Sequence, residues 1–218
     1  LMFAPHLAIC PDPEEGNRLA AEIHEAHPDR LLPYCTIGPR RPERAVRAQL
    51  EEYIASGRFV GIKLHPSLQR TVVSDPAYEM AFQYAEAHAV PILVHTWEGD
   101  GFASPDMVAD MAAKHPGAET ILAHSAGAHT GMARVIALAH KHANLWLEIS
   151  GSTQPWGAME RLCEELGAER VLFGSDLPFL DPRPKLGAVV FAGVSDGAKR
   201  AILRDNAVDL FGFGEASA

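Results

Sequence analysis

The 218-residue chain is short of cysteine and basic charge, and each shortage narrows the range of functions. Its three cysteines, Cys10, Cys35 and Cys163, are odd in number and widely spaced, with no Cys-x-x-Cys pair. Neither a disulfide framework nor a zinc ribbon is built that way, and a reducing cytoplasm is the expected setting. Nineteen Lys and Arg against 28 Asp and Glu leave a formal charge of -9, which argues against nucleic acid or an anionic membrane as partner. No apolar run approaches the ~20 residues that span a bilayer. Nor does the chain contain G-x-G-x-x-G or G-x-x-x-x-G-K-[ST], the usual mark of a doubly wound nucleotide binder. It begins at Leu1 rather than methionine, and Leu1-Met2-Phe3-Ala4-Pro5 reads as the second half of a buried strand. The expectation is a chain lacking its first strand-helix unit.

What is present is a rhythm. With 47% hydrophobic residues, short apolar runs alternate with longer amphipathic ones, as in a parallel sheet covered by helices. Strands are predicted at Leu31 to Ile37, Phe59 to Leu64, Val90 to His95, Thr120 to His124, Asn144 to Ile149 and Val171 to Phe173, besides the fragment at residues 1–5. Helices are predicted between them, with Asp75-Pro76 and Ser104-Pro105 as start signals, Gly57 as a C-terminal cap and Ser195 capping the last helix through Phe211. No linker or charge block interrupts this pattern, so residues 1–218 are expected to form one domain. Without a nucleotide fingerprint, a TIM-type (β/α)8 barrel is favoured over an open doubly wound sheet.

Polar residues close successive strands: Lys63 and His65, His95, His124, Glu148, and Asp176. If alternation along each strand holds, Lys63 with His65, Leu93 with His95, Leu122 with His124 and Leu172 with Asp176 share an interior face. At the C-terminal mouth of a barrel such residues form an active site. Imidazoles and a carboxylate together suit Zn²⁺ or another divalent ion, which lowers the pKa of a bound water to ~7. Each residue also has a plainer role. A single His at a strand end is ordinarily hydrogen-bonded into a loop, and Lys63 and Glu148 could simply pair with each other. Trp97, before the loop Glu98-Gly99-Asp100-Gly101-Phe102, is a candidate substrate wall. His129 starts a helix, where it can cap or bind.

The motifs Gly61-Ile62-Lys63-Leu64-His65-Pro66, Ile92-Leu93-Val94-His95-Thr96, Ile121-Leu122-Ala123-His124, Gly174-Ser175-Asp176-Leu177-Pro178 and Asn206-Ala207-x-x-Leu210-Phe211-Gly212 recur in order. Together they resemble the amidohydrolase-related family, a branch of the metal-dependent amidohydrolase superfamily that also contains aromatic-acid decarboxylases. The resemblance implies a distorted (β/α)8 barrel with His95 and Asp176 as metal ligands. It implies His124 as a second ligand or a catalytic group, and Asp176 as general base as well as ligand. His65, Lys63 and Trp97 are then expected at the substrate. The implied cofactor is a divalent metal, zinc first and manganese second, and the implied assembly a homodimer acting on a small molecule. The family's His-x-His on the first strand has no counterpart: His140-Lys141-His142 has the spacing but lies on a helix, where residues two apart diverge. The chain as it stands is therefore expected to be metal-poor or inactive. The leading expectation is hydrolysis of an amide, lactone or ester by metal-activated water. The alternatives are non-oxidative decarboxylation of a small carboxylic acid and a non-catalytic barrel that has lost its metal site.

Overall fold

Strands buried on both faces must hide every backbone group in a ladder, and the short apolar runs do so by pairing with their neighbours in sequence. The computed structural model describes residues 1–10, 12–125, 129–152 and 155–213, with 129 and 130 described by backbone alone. Seven parallel strands follow chain order: β1 (Met2–Phe3), β2 (Leu32–Thr36), β3 (Gly61–Leu64), β4 (Ile92–Val94), β5 (Thr120–Leu122), β6 (Leu145–Glu148) and β7 (Val171–Leu172). An order that never reverses excludes the doubly wound alternative, whose strand order switches direction at its centre. β1, β2, β3, β4 and β6, with the residues directly after β5 and β7, all line one cavity, so the sheet curls around it as barrel staves do. Among the described residues β7 and β1 do not pair with each other. The architecture is that of a TIM-type barrel, with seven strands in view.

Register sorts the side chains into two faces. Leu64, Val94, Leu122, Leu147 and Val171 are successive partners across five strands, and all five join the buried core between sheet and helices. Each such fully buried aliphatic side chain contributes about 1.5–3 kcal/mol. The neighbouring row, with Lys63 opposite Leu93, points into the cavity.

The helices obey the start signals read from sequence. After the single turn α1 (His6–Ile9) comes α2 (Pro13–Ala26), tied to β2 by Asn17, whose side chain accepts from Thr36 N at 3.0 Å and donates to its carbonyl at 2.8 Å. α3 (Glu43–Leu50) continues in wider turns through Ala55, and Gly57 follows at φ +74. A single turn, α4 (Pro66–Gln69), precedes α5 (Pro76–His88) and α6 (Pro105–Lys114), where Asp75 accepts from Ala77 N and Ser104 from Met107 N. α7 (His129–Lys141) and α8 (Ala158–Glu165) follow. α9 (Pro182–Val190) has no counterpart in the sequence reading, because two prolines and Gly187 disguise it as a loop. Ser195 caps α10 (Asp196–Arg200), which runs through a wide turn into α11 (Asn206–Leu210). Among the described residues no helix is long and apolar enough to cross a membrane.

Candidate active site and metal centre

Four strands deliver the polar cluster to one mouth. Lys63, His65, His95, His124 and Asp176 all line a single recess of about 210 Å³ beyond the strand ends, with His6 and Phe179 closing it. A deeper cavity of about 430 Å³ shares Lys63, His124 and Asp176 with it and adds Glu148 and Ser150. Alternation carries Lys63, His65 and His95 there, as the sequence suggests. It does not carry His124. Leu122 packs outward in the core while Ala123 faces the cavity, so a regular strand would point His124 away. The backbone instead turns left-handed at His124, φ +64, and again at Asp176, φ +62. That conformation costs an L-residue about 1–2 kcal/mol, and His and Asp are among the side chains found there most often. His124 therefore reaches the cavity through a strained turn at the strand exit rather than through strand periodicity, whereas Asp176 lies on the face that alternation from Leu172 predicts.

The imidazoles are in direct contact. His95 Nδ1 and His124 Nε2 lie 3.0 Å apart, and the His65 ring stacks on His95 with centroids 3.9 Å apart at 14°. Burial holds all three neutral: His65 is pushed down to about 2, with the neighbouring rings and Lys63 adding to the effect, and His95 and His124 to about 3. Burial likewise lowers the Lys63 ammonium to about 8, against the pull of Glu148 and Asp176. Glu148 is buried, which raises its carboxyl, but it accepts from Ser150 N at 2.6 Å, Ser150 Oγ at 2.6 Å and His124 N at 3.3 Å. It is more than a partner for Lys63.

Other candidates fall elsewhere. Trp97 stands on the far side of His124, ring centroids 6.3 Å apart, and lines neither cavity. Its loop is a pinned turn, in which Asp100 accepts from Ser67 Oγ and from Phe102 N at 2.7 Å. The side chain of His129 lies outside the described residues. A larger void of about 710 Å³ between α8 and α9 is lined, among the described residues, by no imidazole and not by Asp176. Sequence reasoning missed Ser150, whose signal is only a small polar residue ahead of Gly151, and Lys185, a buried amine whose pKa burial lowers near Glu148 and Asp176.

Donor chemistry on the cavity wall suits a divalent ion: neutral ring nitrogens converge and a carboxylate shares the recess. The arrangement stops at a pair, however. Among the described residues no three His, Cys, Asp or Glu groups are placed to hold an ion together.

The amidohydrolase family model matches residues 3–213, nearly the whole chain. The chain belongs to the amidohydrolase family. No curated protein matches it in sequence. Several solved structures share the fold at low identity. The 2,6-dihydroxybenzoate decarboxylase from Rhizobium is 18% identical with a TM-score of 0.74, over 98% of this chain and 83% of that one. The 5-carboxyvanillate decarboxylase from Novosphingobium aromaticivorans, complexed with manganese and 4-hydroxy-3-methoxy-5-nitrobenzoic acid, is 16% identical with a TM-score of 0.74, over 97% and 75%. An uncharacterised TIM-barrel protein from Bordetella bronchiseptica gives 19% and 0.76, over 90% and 72%. The amidohydrolase fold accounts for the strand order, for the curl and for the clustering of polar residues at the strand exits.

Proposed function

We propose that this amidohydrolase is a metal-dependent decarboxylase of a small aromatic carboxylic acid. The observation that carries the reading is the composition of the paired cavities. Apolar walls from Phe3, Tyr34, Leu93 and Phe173 face a rim of Lys63, His124 and Asp176, which suits a flat ring bearing an anionic group. The decarboxylases among the fold relatives support it, and this reading replaces the hydrolysis expected first from sequence.

In this reading Lys63, cationic below about pH 8, pairs with the acid's carboxylate at the polar rim. His65 packs against His95 and limits how that ring turns. The convergent pair His95 and His124, with Asp176 lining the same recess, would meet a divalent ion, manganese or zinc, which when bound anchors and polarises the oxygens of the substrate. The bond to the carboxyl carbon breaks, CO₂ leaves, and Asp176 passes one proton from solvent to the vacated ring carbon. Apolar walls exclude water from the charge that develops there.

The test is incubation of the chain, with manganese or zinc, with dihydroxybenzoates and carboxylated vanillates in D₂O. The expected result is CO₂ release with one deuterium at the vacated carbon, and a rate at least ~100-fold lower for Asp176→Asn. Turnover of esters, lactones or amides without CO₂ release would replace this reading with hydrolysis, the chemistry for which the family is named. Neither activity in a folded, metal-loaded chain would leave the non-catalytic barrel.

A further inference from the structure

His124 is the end of a hydrogen-bonded chain that begins at a buried carboxylate. Glu148 receives two backbone N–H groups, one on each oxygen: Ser150 N on Oε1 and His124 N on Oε2. The Ser150 hydroxyl sits 2.6 Å from Glu148 Oε2 and 2.9 Å from His124 Nδ1, and His124 Nε2 then meets His95 Nδ1 at 3.0 Å. A hydroxyl has one proton, so it can donate to only one of its two neighbours. With both carboxylate oxygens already accepting from N–H groups, and Lys63 close enough to act on Glu148 electrostatically, the carboxylate is the stronger acceptor. Ser150 therefore donates to Glu148 and must accept from His124.

Two glycines make room for this chain. A Cβ on Gly174 would fall inside the contact radius of Glu148 Oε1 and Cδ, and one on Gly151, at φ +107, would stand 3.2 Å from His124 Nδ1. Gly174 is the first residue of the Gly-Ser-Asp motif, so that motif serves Glu148 as well as Asp176.

The geometry points to Ser150 and Glu148 as positioning residues that lock His124 in one tautomer, with its proton on Nδ1 and the lone pair on Nε2 turned to His95 Nδ1. His95 Nδ1 then donates across the 3.0 Å contact, and release of that one bond frees Nε2 to accept a proton or bind an ion with no change of tautomer at His124, whose orientation is set by the partner on its other nitrogen. The inference rests on the proposed function only for the use made of that lone pair.

Long-range proton–nitrogen spectra of ¹⁵N-histidine-labelled protein separate protonated from bare ring nitrogens, with His124 assigned by the signal lost in His124→Gln. The wild type should show a protonated Nδ1 and a bare Nε2. Ser150→Ala removes the acceptor and should move the proton toward Nε2, while Ser150→Thr, which keeps the hydroxyl, should return it to Nδ1. A wild-type ring protonated on Nε2 overturns the inference whether or not the variants fold, and so does a folded Ser150→Ala with an unchanged spectrum. No substrate or turnover enters the measurement, so its failure is distinct from failure to decarboxylate.

Discussion

Replacing Gly174 by alanine tests how tightly the site is built around Glu148. The added Cβ cannot coexist with the carboxylate where it now sits, since it would overlap Oε1 and Cδ and approach Cγ to 3.1 Å. The carboxylate is not free to swing away, because Ser150 N, Ser150 Oγ and His124 N all donate to it. Moving it strands at least two buried donors at about 1–3 kcal/mol each, or else pushes β7 away from β6. The expected loss is therefore about 3–5 kcal/mol, and at about 2–4 °C per kcal/mol for a domain of this size Tm falls by about 10 °C. Gly101→Ala is the control: nothing lies within 4 Å of a Cβ there, so its effect should stay within about 0.5 kcal/mol. Urea denaturation followed by circular dichroism reads both. Repeating the substitution in a Glu148→Ala background should recover about 2 kcal/mol or more as coupling energy. A Gly174→Ala chain as stable as the control, or a cycle with no coupling, would refute the packing argument.

Acid should destabilise the metal-free chain early. Burial keeps His65, His95 and His124 neutral in the folded state down to about pH 2–3, whereas the unfolded chain protonates them near the ordinary value of 6.5. The unfolded state thus binds more protons, and stability falls as pH drops from about 6.5 toward 3, by up to about 1.4 kcal/mol per pH unit for each ring. Urea midpoints at pH 7 and pH 5 should differ clearly, and His65→Asn should make the dependence shallower; equal midpoints would contradict the burial. Asn206→Ala should cost about 2–4 kcal/mol, because its side-chain amide donates to Ala168 O and Val171 O, both at 2.7 Å, and ties α11 to β7. A loss under 1 kcal/mol by thermal denaturation would show that those carbonyls find other partners.

Much of the fold was legible because periodicity reports burial. Apolar runs such as Ile92-Leu93-Val94 and Thr120-Ile121-Leu122 are what a strand covered on both faces needs, and Asp75-Pro76 and Ser104-Pro105 mark helix starts by their own chemistry. The motif Asn206-Ala207 was recognisable as a pattern, but its reason, two carbonyls near β7, required coordinates. His95 and Asp176 could be placed by alternation; His124 could not, since a left-handed turn beyond its strand redirects it and no local pattern signals that turn. Ser150 and Gly174 were silent for a different reason. Their importance comes from Glu148, a contact between strand exits that sequence order does not reveal.

Everything proposed for the site requires that the His95–His124 pair and Asp176 line one cavity able to take a divalent ion. Titration with a substoichiometric amount of Mn²⁺, followed by paramagnetic broadening of the eleven histidine ring signals, tests it most directly. Broadening should concentrate on His65, His95 and His124, and should be lost in Asp176→Asn. Broadening of His140 on α7 and of His142 just beyond it, with the cavity rings left sharp, would contradict it.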